Sequence, residues 1–253
     1  MAAVEAIIRS KEHVQIAELE AHEDTLAKQF WLRVRQFGPR TAMRKKRYGI
    51  WQEYTWDECG AHVRAFCLGL VSLGLQRGDK VCIIGENDPE FYWAQIAVWC
   101  AGGTTTALFT DANLQELEYV VNNSDSVFLL AHDQEQCDKA LALREKLPNI
   151  RRVIYWDDRG LWNYNDPWLM PFEDVERLGQ AFGERNPGLL EQMVAEGSGS
   201  DIAIFSYTSG TTSLPKGAMI SHANLIYGNR HARQLEPSYP TCLLYTSPSP
   251  RDS

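Results

Sequence analysis

The sequence predicts an α/β fold with a mostly parallel sheet flanked by helices. Between Lys80 and Trp156, short apolar runs alternate with helical patterns, which is the rhythm of repeated βαβ units. Of the 253 residues, 44% are apolar and 23% are charged, as in an ordinary globular protein. A chain of this length buries about 70 to 75% of its unfolded surface, so a core needs neither metal nor disulfide.

The elements before this region are predicted from spacing and stop signals. Apolar residues at helical spacing predict a first helix over residues 24–36, and Gly38-Pro39 stops it. Alternating residues over 41–56, with a turn at Tyr48-Gly49, predict a β-hairpin. A second helix is expected to begin at Trp56.

The parallel sheet is predicted from strands at 80–84, 104–108, 126–131 and 152–156. The connecting helices are expected over 90–101, after Asn113, and over 134–147. Residues 157–200 are polar and carry Pro and Gly, so we expect less regular structure there, ending in a linker at 197–200. We expect residues 201–207 to form a buried strand and residues 218–220 to form a further strand.

The charge of the chain disfavours nucleic acid as a partner. There are 25 Lys plus Arg against 33 Asp plus Glu, a net charge of -8, which repels polyanions. Four consecutive cations, Arg44 to Arg47, offer a grip for phosphates in principle. Because they lie between strand-like runs, we interpret them as the solvated face of the hairpin.

Cysteine usage and the N-terminus indicate a reducing, cytoplasmic location. The six cysteines form no C-x-x-C pair, and several lie inside apolar runs. Residues 1–20 are charged and lack the apolar stretch of a secretory signal. The longest apolar stretch, residues 91–103, is shorter than the roughly 20 residues that span a bilayer, and no amphipathic anchor strong enough for membrane attachment is recognised.

The strongest chemical signal is a run of small and hydroxyl residues from Tyr207 to Gly217, reading YTSGTTSLPKG. Backbone N–H groups and hydroxyls in such a loop approach the oxygens of a triphosphate closely. Each hydrogen bond to a charged oxygen contributes roughly 1.5 to 3 kcal/mol, so four or five with one lysine hold a nucleotide tail. The run therefore predicts a phosphate-binding loop.

Two common phosphate motifs do not fit this loop. A Walker A motif counted from Gly210 requires Gly at Pro215 and Ser or Thr at Gly217. A dinucleotide fingerprint requires a third glycine after Gly197-Ser-Gly199, and none follows at the right spacing. Both motifs are excluded.

The run from Phe205 to Lys216 resembles the signature phosphate loop of the adenylate-forming superfamily, which includes acyl-CoA ligases, luciferases and peptide-synthetase adenylation domains. Ser213 stands where glycine is the commonest residue. The resemblance covers about Asp24 to Leu235. Within it, the stretches 133–136 and 153–160 are similar to the long-chain fatty acyl-CoA ligase branch.

The resemblance implies ATP, Mg²⁺ and coenzyme A as cofactors and a fatty acid as substrate. It assigns the β- and γ-phosphates to the loop residues Thr208, Ser209, Gly210, Thr211 and Thr212. Lys216 is the expected catalytic residue, as a point charge on those phosphates, and Pro215 and Gly217 shape the loop. The metal-binding glutamate and the adenine, ribose and acyl pockets of the family are not recognised in these residues. Fatty substrates suggest loose contact with a membrane, and the oligomeric state stays open.

The resemblance divides the chain into an N-terminal extension (1–23), part of the large adenylate-forming domain (24–236) and a tail outside the family pattern (237–253). The last residues resemble translated adapter sequence, so we expect the native product to diverge near Pro240 and this fragment to be inactive. Two alternatives stay open: another adenylating enzyme, specific for a short-chain or aryl acid or a carrier protein, and a shortened non-catalytic binding protein.

Several conspicuous residues receive structural interpretations. His222 is expected in the first turn of a helix behind a Ser221 cap, rather than as a catalytic base. Trp93 and Trp99 are expected in the core. Asp133 and Glu135 are expected to begin a helix rather than to form a catalytic carboxylate pair.

Overall fold

The computed structural model describes residues 18–208 and 215–235. They form a seven-stranded sheet with helices on both faces, beside a separate two-stranded hairpin. This architecture confirms the predicted α/β class with a mostly parallel sheet. In the described part of the chain, no helix has the length and hydropathy to cross a membrane.

The elements are numbered here in chain order. The strands are β1 (Thr41–Arg47), β2 (Ile50–Thr55), β3 (Lys80–Ile84), β4 (Thr104–Leu108), β5 (Ser126–Ala131), β6 (Arg152–Tyr155), β7 (Leu169–Pro171), β8 (Ile202–Thr208) and β9 (Lys216–Ser221). The helices are α1 (Leu26–Phe37), α2 (Trp56–Ser72), α3 (Pro89–Cys100), α4 (Leu114–Asn123), α5 (Gln134–Ala142), α6 (Phe172–Arg185), α7 (Leu189–Glu196) and α8 (His222–Leu235).

The large sheet has the strand order β7-β6-β5-β3-β4-β8-β9. All neighbouring pairs are parallel except β8 and β9, which are antiparallel. The chain moves from β3 to β4 in one direction, and from β5 to β6 in the other. The adjacent strands β3 and β5 therefore mark a topological switch point, where the connections leave the sheet in opposite directions.

Two hydrophobic cores cover the two faces of this sheet. Successive residues of a strand point to opposite faces, so Val81 and Ile83 of β3 lie in one core while Cys82 and Ile84 lie in the other. The first core contains residues of α1, α2, α3 and α6, and the second contains residues of α4 and α5. Burial on both faces explains why these strands read as continuous apolar runs in the sequence.

The region 157–200, expected to be less regular, contains β7, α6 and α7, so that expectation is wrong. Helix α6 packs closely on α2, because Gly179 of α6 faces Gly69 of α2. A Cβ at Gly179 would overlap the carbonyl oxygen of Ala65, and one at Gly69 would overlap the carbonyl oxygen of Val175. Only glycine permits this distance between the helices.

Smaller differences concern the ends of elements. The helix expected over 134–147 ends at Ala142, and a 3₁₀ turn follows at Arg144–Lys146. The strand expected over 218–220 begins earlier, at Lys216, because it pairs with β8 up to Thr208. The second helix begins as expected at Trp56, where Thr55 and Glu58 form a reciprocal capping box.

Five of the six cysteines lie in the described residues, and all five are buried: Cys59, Cys67, Cys82, Cys100 and Cys137. Burial raises the pKa of Cys82, Cys100 and Cys137 to about 12. These thiols therefore stay protonated at neutral pH and act as small apolar side chains.

Candidate functional site

The two ends of the predicted phosphate loop are strands of one antiparallel pair. Thr208, the last residue of β8, pairs with Lys216, the first residue of β9. The loop between them therefore begins and ends at the carboxyl edge of the parallel sheet, where α/β proteins bind ligands. Ser209, Gly210, Thr211 and Thr212 lie outside the described residues, so their predicted contacts to phosphate stay predictions.

Lys216 and Gly217 lie at the base of the loop. Lys216 is exposed at the start of β9. Gly217 pairs with Tyr207, whose ring lies against it, since a Cβ on Gly217 would come within 3.0 Å of Cζ of Tyr207. The hydroxyl of Tyr207 donates to Oδ1 of Asn123 at 2.7 Å, and burial raises its pKa to about 12. The absence of a side chain at Gly217 thus allows the Tyr207 ring to pack there, and the hydrogen bond of Tyr207 connects the base of the loop to α4.

The strand that leads into the loop is held by side chains of β4 and α3. The hydroxyls of three consecutive threonines donate to backbone oxygens of β8: Thr104 to Ile202 at 2.8 Å, Thr105 to Ala203 at 3.3 Å and Thr106 to Phe205 at 3.0 Å. Nε1 of Trp99 also donates to the oxygen of Ala203, at 2.9 Å. These bonds add to the parallel pairing and fix β8 beside β4.

The start of β8 is held by a second set of contacts. The backbone N–H of Gly199 donates to Asp24 at 2.8 Å, and Asp201 pairs with Arg77. His222, the first residue of α8, is buried, and its Nδ1 accepts from the N–H of Leu26 at 3.3 Å. Burial lowers the pKa of His222 to about 4, so the ring is neutral and serves as an acceptor.

The structural interpretation of His222 agrees with its position. Ser221 and Asn224 exchange hydrogen bonds at the start of α8, with Ser221 Oγ accepting from the N–H of Asn224 at 3.2 Å. Trp93 is buried and Trp99 is partly buried, both within the first core. Asp133 accepts from the N–H of Gln136 at 3.2 Å and caps α5, while Glu135 pairs with Lys139 at 3.0 Å.

Beside the loop base, the carboxyl ends of β3 and β4 enclose a cavity of about 290 Å³. Within its lining, the hydroxyl of Thr110 donates to Glu86 at 3.2 Å. The cavity is lined by Gly85, Glu86, Asn87, Phe91, Ala107, Leu108, Phe109 and Thr110. Because β4 neighbours β8, this cavity and the loop lie on the same edge of the sheet.

Asp88, which the sequence analysis did not single out, is the centre of a polar cluster at the switch point. Its carboxylate accepts from Nε1 of Trp156 at 3.2 Å and lies 3.3 Å from Nε2 of His132, and it pairs with Lys45 of the hairpin. Asp88 is only 8% exposed, and it does not cap its own helix α3. Each partner comes from a different element.

The pKa values within this switch-point cluster move in opposite directions. Burial by itself raises the pKa of Asp88, but hydrogen bonds from His132 and Lys45 outweigh it and hold that pKa well below its usual range. Burial lowers the pKa of His132, but the hydrogen bond to Asp88 and the nearby carboxylates outweigh it and raise that pKa. Protonated His132 and ionised Asp88 therefore stabilise each other.

The sequence contains a signal for this cluster. Asp88, His132 and Trp156 each follow a parallel strand, β3, β5 and β6 respectively. Carboxyl ends of adjacent parallel strands meet at one edge, so polar residues after them are expected to lie close together. Lys45 had no such signal, because only packing brings the hairpin to this edge.

The described residues contain no group of three or more His, Cys, Asp or Glu side chains that could hold a metal ion.

A family model and individual relatives both match this chain, and their descriptions name an AMP-binding enzyme or a CoA ligase. A family model described as an AMP-binding enzyme matches residues 30–249. A long-chain fatty-acid–CoA ligase of Xenopus laevis is 26% identical over 203 residues, covering 80% of this chain and 27% of that protein. One of Mycobacterium tuberculosis is 28% identical over 190 residues, covering 75% of this chain and 30% of that protein. The chain thus spans less than a third of the length of these two relatives.

Solved structures share the fold. An anthranilate CoA ligase in complex with anthranoyl-AMP superposes with a TM-score of 0.67 at 20% identity, over 81% of this chain and 36% of that one. An acetoacetyl-CoA synthetase from Streptomyces lividans superposes with a TM-score of 0.66 at 19% identity, over 83% of this chain and 32% of that one.

Proposed function

This chain belongs to the family of AMP-binding enzymes, and from that premise we propose that it supplies the phosphate-binding part of an ATP-dependent ligase that activates a long-chain fatty acid. In this reaction a carboxylate oxygen attacks the α-phosphorus of ATP, and the bond to pyrophosphate breaks. The sulfur of coenzyme A then attacks the acyl carbon of the adenylate, and AMP leaves.

One observation carries the proposal: the hydroxyl-rich loop connects β8 and β9 at the carboxyl edge of the sheet. Two anions must meet in the first half-reaction, so the site has to orient and neutralise the departing pyrophosphate. Hydroxyl and backbone donors of Thr208, Ser209, Gly210, Thr211 and Thr212 are suited to this task. Lys216 at the end of the loop adds the positive charge.

The rigid surroundings of the loop support this role. Donors stabilise a transition state best when they are already oriented, because no reorganisation is then needed during the reaction. The threonine bonds from β4 hold β8, and the Tyr207–Asn123 bond holds the last part of that strand.

The choice of a long-chain fatty acid rests on the similarity to curated relatives. The relatives from Xenopus laevis and Mycobacterium tuberculosis carry the name of that activity, at 26% and 28% identity. The stretches 133–136 and 153–160 resemble the same branch of the superfamily.

The test is ATP–pyrophosphate exchange with acetate, benzoate, octanoate and palmitate as acids, measured on this chain and on the product of the complete genomic reading frame. We expect exchange with palmitate in the complete product. Lys216→Ala should lower it roughly 10²- to 10³-fold, as for a lost transition-state donor. Lys146→Ala is the matched control, because Lys146 is an exposed lysine that pairs with Glu118.

Each other outcome has a defined meaning. Exchange only with acetate or benzoate would indicate a ligase of short-chain or aryl acids, and the proposed role of the loop would be unchanged. A complete product that folds and shows no exchange with any acid favours a non-catalytic binding protein. Equal rates for Lys216→Ala and Lys146→Ala contradict the role of Lys216.

A further inference from the structure

The tip of the β1–β2 hairpin, residues 46–51, exposes a group of large apolar side chains that the fold does not use. Tyr48 is 81% exposed, Ile50 is 70% exposed and Trp51 is 49% exposed. Single exposed apolar residues are common, but three within four positions at a protruding turn indicate a binding surface.

Turn geometry does not account for Tyr48. The two-residue turn has φ of 51° at Tyr48 and 80° at Gly49, and Arg47 pairs with Ile50 across it. Such turns favour Asn-Gly, because both central residues have positive φ. A bulky tyrosine is disfavoured in this conformation, so Tyr48 is explained neither by burial nor by the needs of the turn.

The charged side chains of the tip are all positive. Lys46 lies over the ring of Trp51 at 5.8 Å, and Arg47 lies over the ring of Tyr48 at 5.8 Å. The tip therefore carries two exposed cations in a chain whose net charge is -8.

The base of the hairpin is fixed to the body. Met43 is 4% exposed, and the ring of Tyr54 meets the ring of Trp93 edge-on at 5.3 Å. Lys45 points inward to Asp88, in contrast to its neighbour Lys46. The tip thus projects from a preorganised support, so little conformational entropy is lost when it binds.

We propose that the hairpin tip docks on an anionic membrane surface, with Tyr48, Ile50 and Trp51 at the level of the lipid headgroups and Lys46 and Arg47 on the lipid phosphates. Aromatic side chains favour this interfacial layer, and cations are attracted by its negative potential. A local positive tip on a negative body also orients the protein, because the remaining surface is repelled.

A lipid surface fits the tip better than a second copy of the chain. A stable protein interface buries about 800 Å² on each partner, whereas the tip offers three apolar side chains on a narrow turn. Shallow insertion at a headgroup layer requires only a small apolar group supported by cations.

The test is co-sedimentation of the full-length chain with vesicles of phosphatidylcholine alone or with about 30 mol% phosphatidylserine. We expect binding only to the anionic vesicles, with loss in about 0.5 M salt, where charges are screened. Lys46→Gln/Arg47→Gln should lower the partition coefficient roughly 30-fold, from the contribution of two cations. Arg177→Gln/Arg185→Gln, which removes two exposed cations from α6, should leave it unchanged.

The variant Tyr48→Asn distinguishes a loss of vesicle binding from a loss of folding stability. Asparagine suits the positive φ of the turn, so the variant should be at least as stable as the wild type while its vesicle binding falls about tenfold. The proposal is overturned if the wild type does not bind vesicles, if it binds both vesicle types equally, or if either tip variant binds as well as the wild type. A concentration-dependent dimer that the tip substitutions abolish also overturns it and would assign the tip to a second copy. None of these readouts depends on ligase activity.

Discussion

Nε2 of His132 lies 3.3 Å from the carboxylate of Asp88, although the two residues follow different strands of the sheet. The same carboxylate also pairs with Lys45 and accepts from Trp156. It therefore joins the hairpin and the carboxyl ends of three parallel strands through one buried charge.

Replacing Asp88 should destabilise the fold without changing its shape. Asp88→Asn retains the size of the side chain but leaves Lys45 and His132 without their counterion, which costs about 2 to 3 kcal/mol of unfolding free energy. Urea unfolding followed by circular dichroism measures the change. Asp174→Asn breaks an exposed pair with Arg177 and should cost less than about 0.5 kcal/mol; equal effects of both variants would contradict the assigned importance of Asp88.

The Asp88–His132 pair predicts a loss of stability on the alkaline side. Because the pKa of His132 is raised above its ordinary 6.5, its contribution is full below pH 6.5 and is lost as pH rises through the folded-state value. Because the pKa of Asp88 is lowered from 3.8, its contribution is full above pH 3.8 and is lost only in strong acid. The pair should therefore stabilise the fold most between those two values.

Unfolding free energies of His132→Gln and wild type at about pH 6 and about pH 8.5 test this prediction. The wild type should lose more stability than His132→Gln on going to the higher pH. His22→Gln is the control, because His22 is an exposed histidine near Glu20. Identical pH profiles for wild type and His132→Gln would rule out the pair as the source.

His222 predicts the opposite dependence. Its pKa falls from 6.5 to about 4 on folding, so between these values the unfolded chain takes up a proton that the folded chain does not. As pH decreases from 6.5 to about 4, the unfolding free energy should fall by up to about 3 kcal/mol, and it should change no further below that range. In His222→Asn, Oδ1 replaces Nδ1 as acceptor for Leu26 without titrating, so differential urea unfolding at both ends of the range should show a flatter profile.

The glycine contact between α2 and α6 predicts a position-specific effect of one methyl group. Gly179→Ala forces the helices apart and should cost about 2 to 3 kcal/mol, as expected for an overpacked core. Gly228 lies in α8 with no atom near its missing Cβ, so Gly228→Ala should stabilise the chain by up to about 1 kcal/mol. Thermal unfolding distinguishes the two, and similar shifts in both variants would contradict the close packing.

Gly217 predicts an effect on activity with little effect on stability. A methyl group there meets the ring of Tyr207 at 3.0 Å, so Gly217→Ala should displace the ring and with it the base of the loop. In the complete protein we expect a severalfold rise in the ATP concentration for half-maximal exchange, with less than about 1 kcal/mol lost in unfolding free energy. An unchanged ATP dependence would show that the loop tolerates this shift.

Much of the fold was predictable because its signals are local. Apolar runs marked β3, β4, β5 and β6, and the Tyr48-Gly49 pair marked the hairpin turn. Helix α6 was missed although Phe172, Val175 and Phe182 recur at helical spacing. The close contact of Gly179 with α2 depends on residues that lie far away in the sequence. The end of α5 was misplaced because helical spacing continues into the 3₁₀ turn at Arg144–Lys146.

The sequence by itself determined the fold class, the family and the residue types of the predicted phosphate loop. These depend on the period of apolar residues and on a dense run of hydroxyls, both of which are readable within a few positions. Only the tertiary structure decided that Lys45 pairs with Asp88 while Lys46 faces solvent, and that His222 serves β8 and α1 as a neutral acceptor. Such relationships depend on how separate elements pack, and packing is set by the shapes of side chains that lie far apart in the sequence.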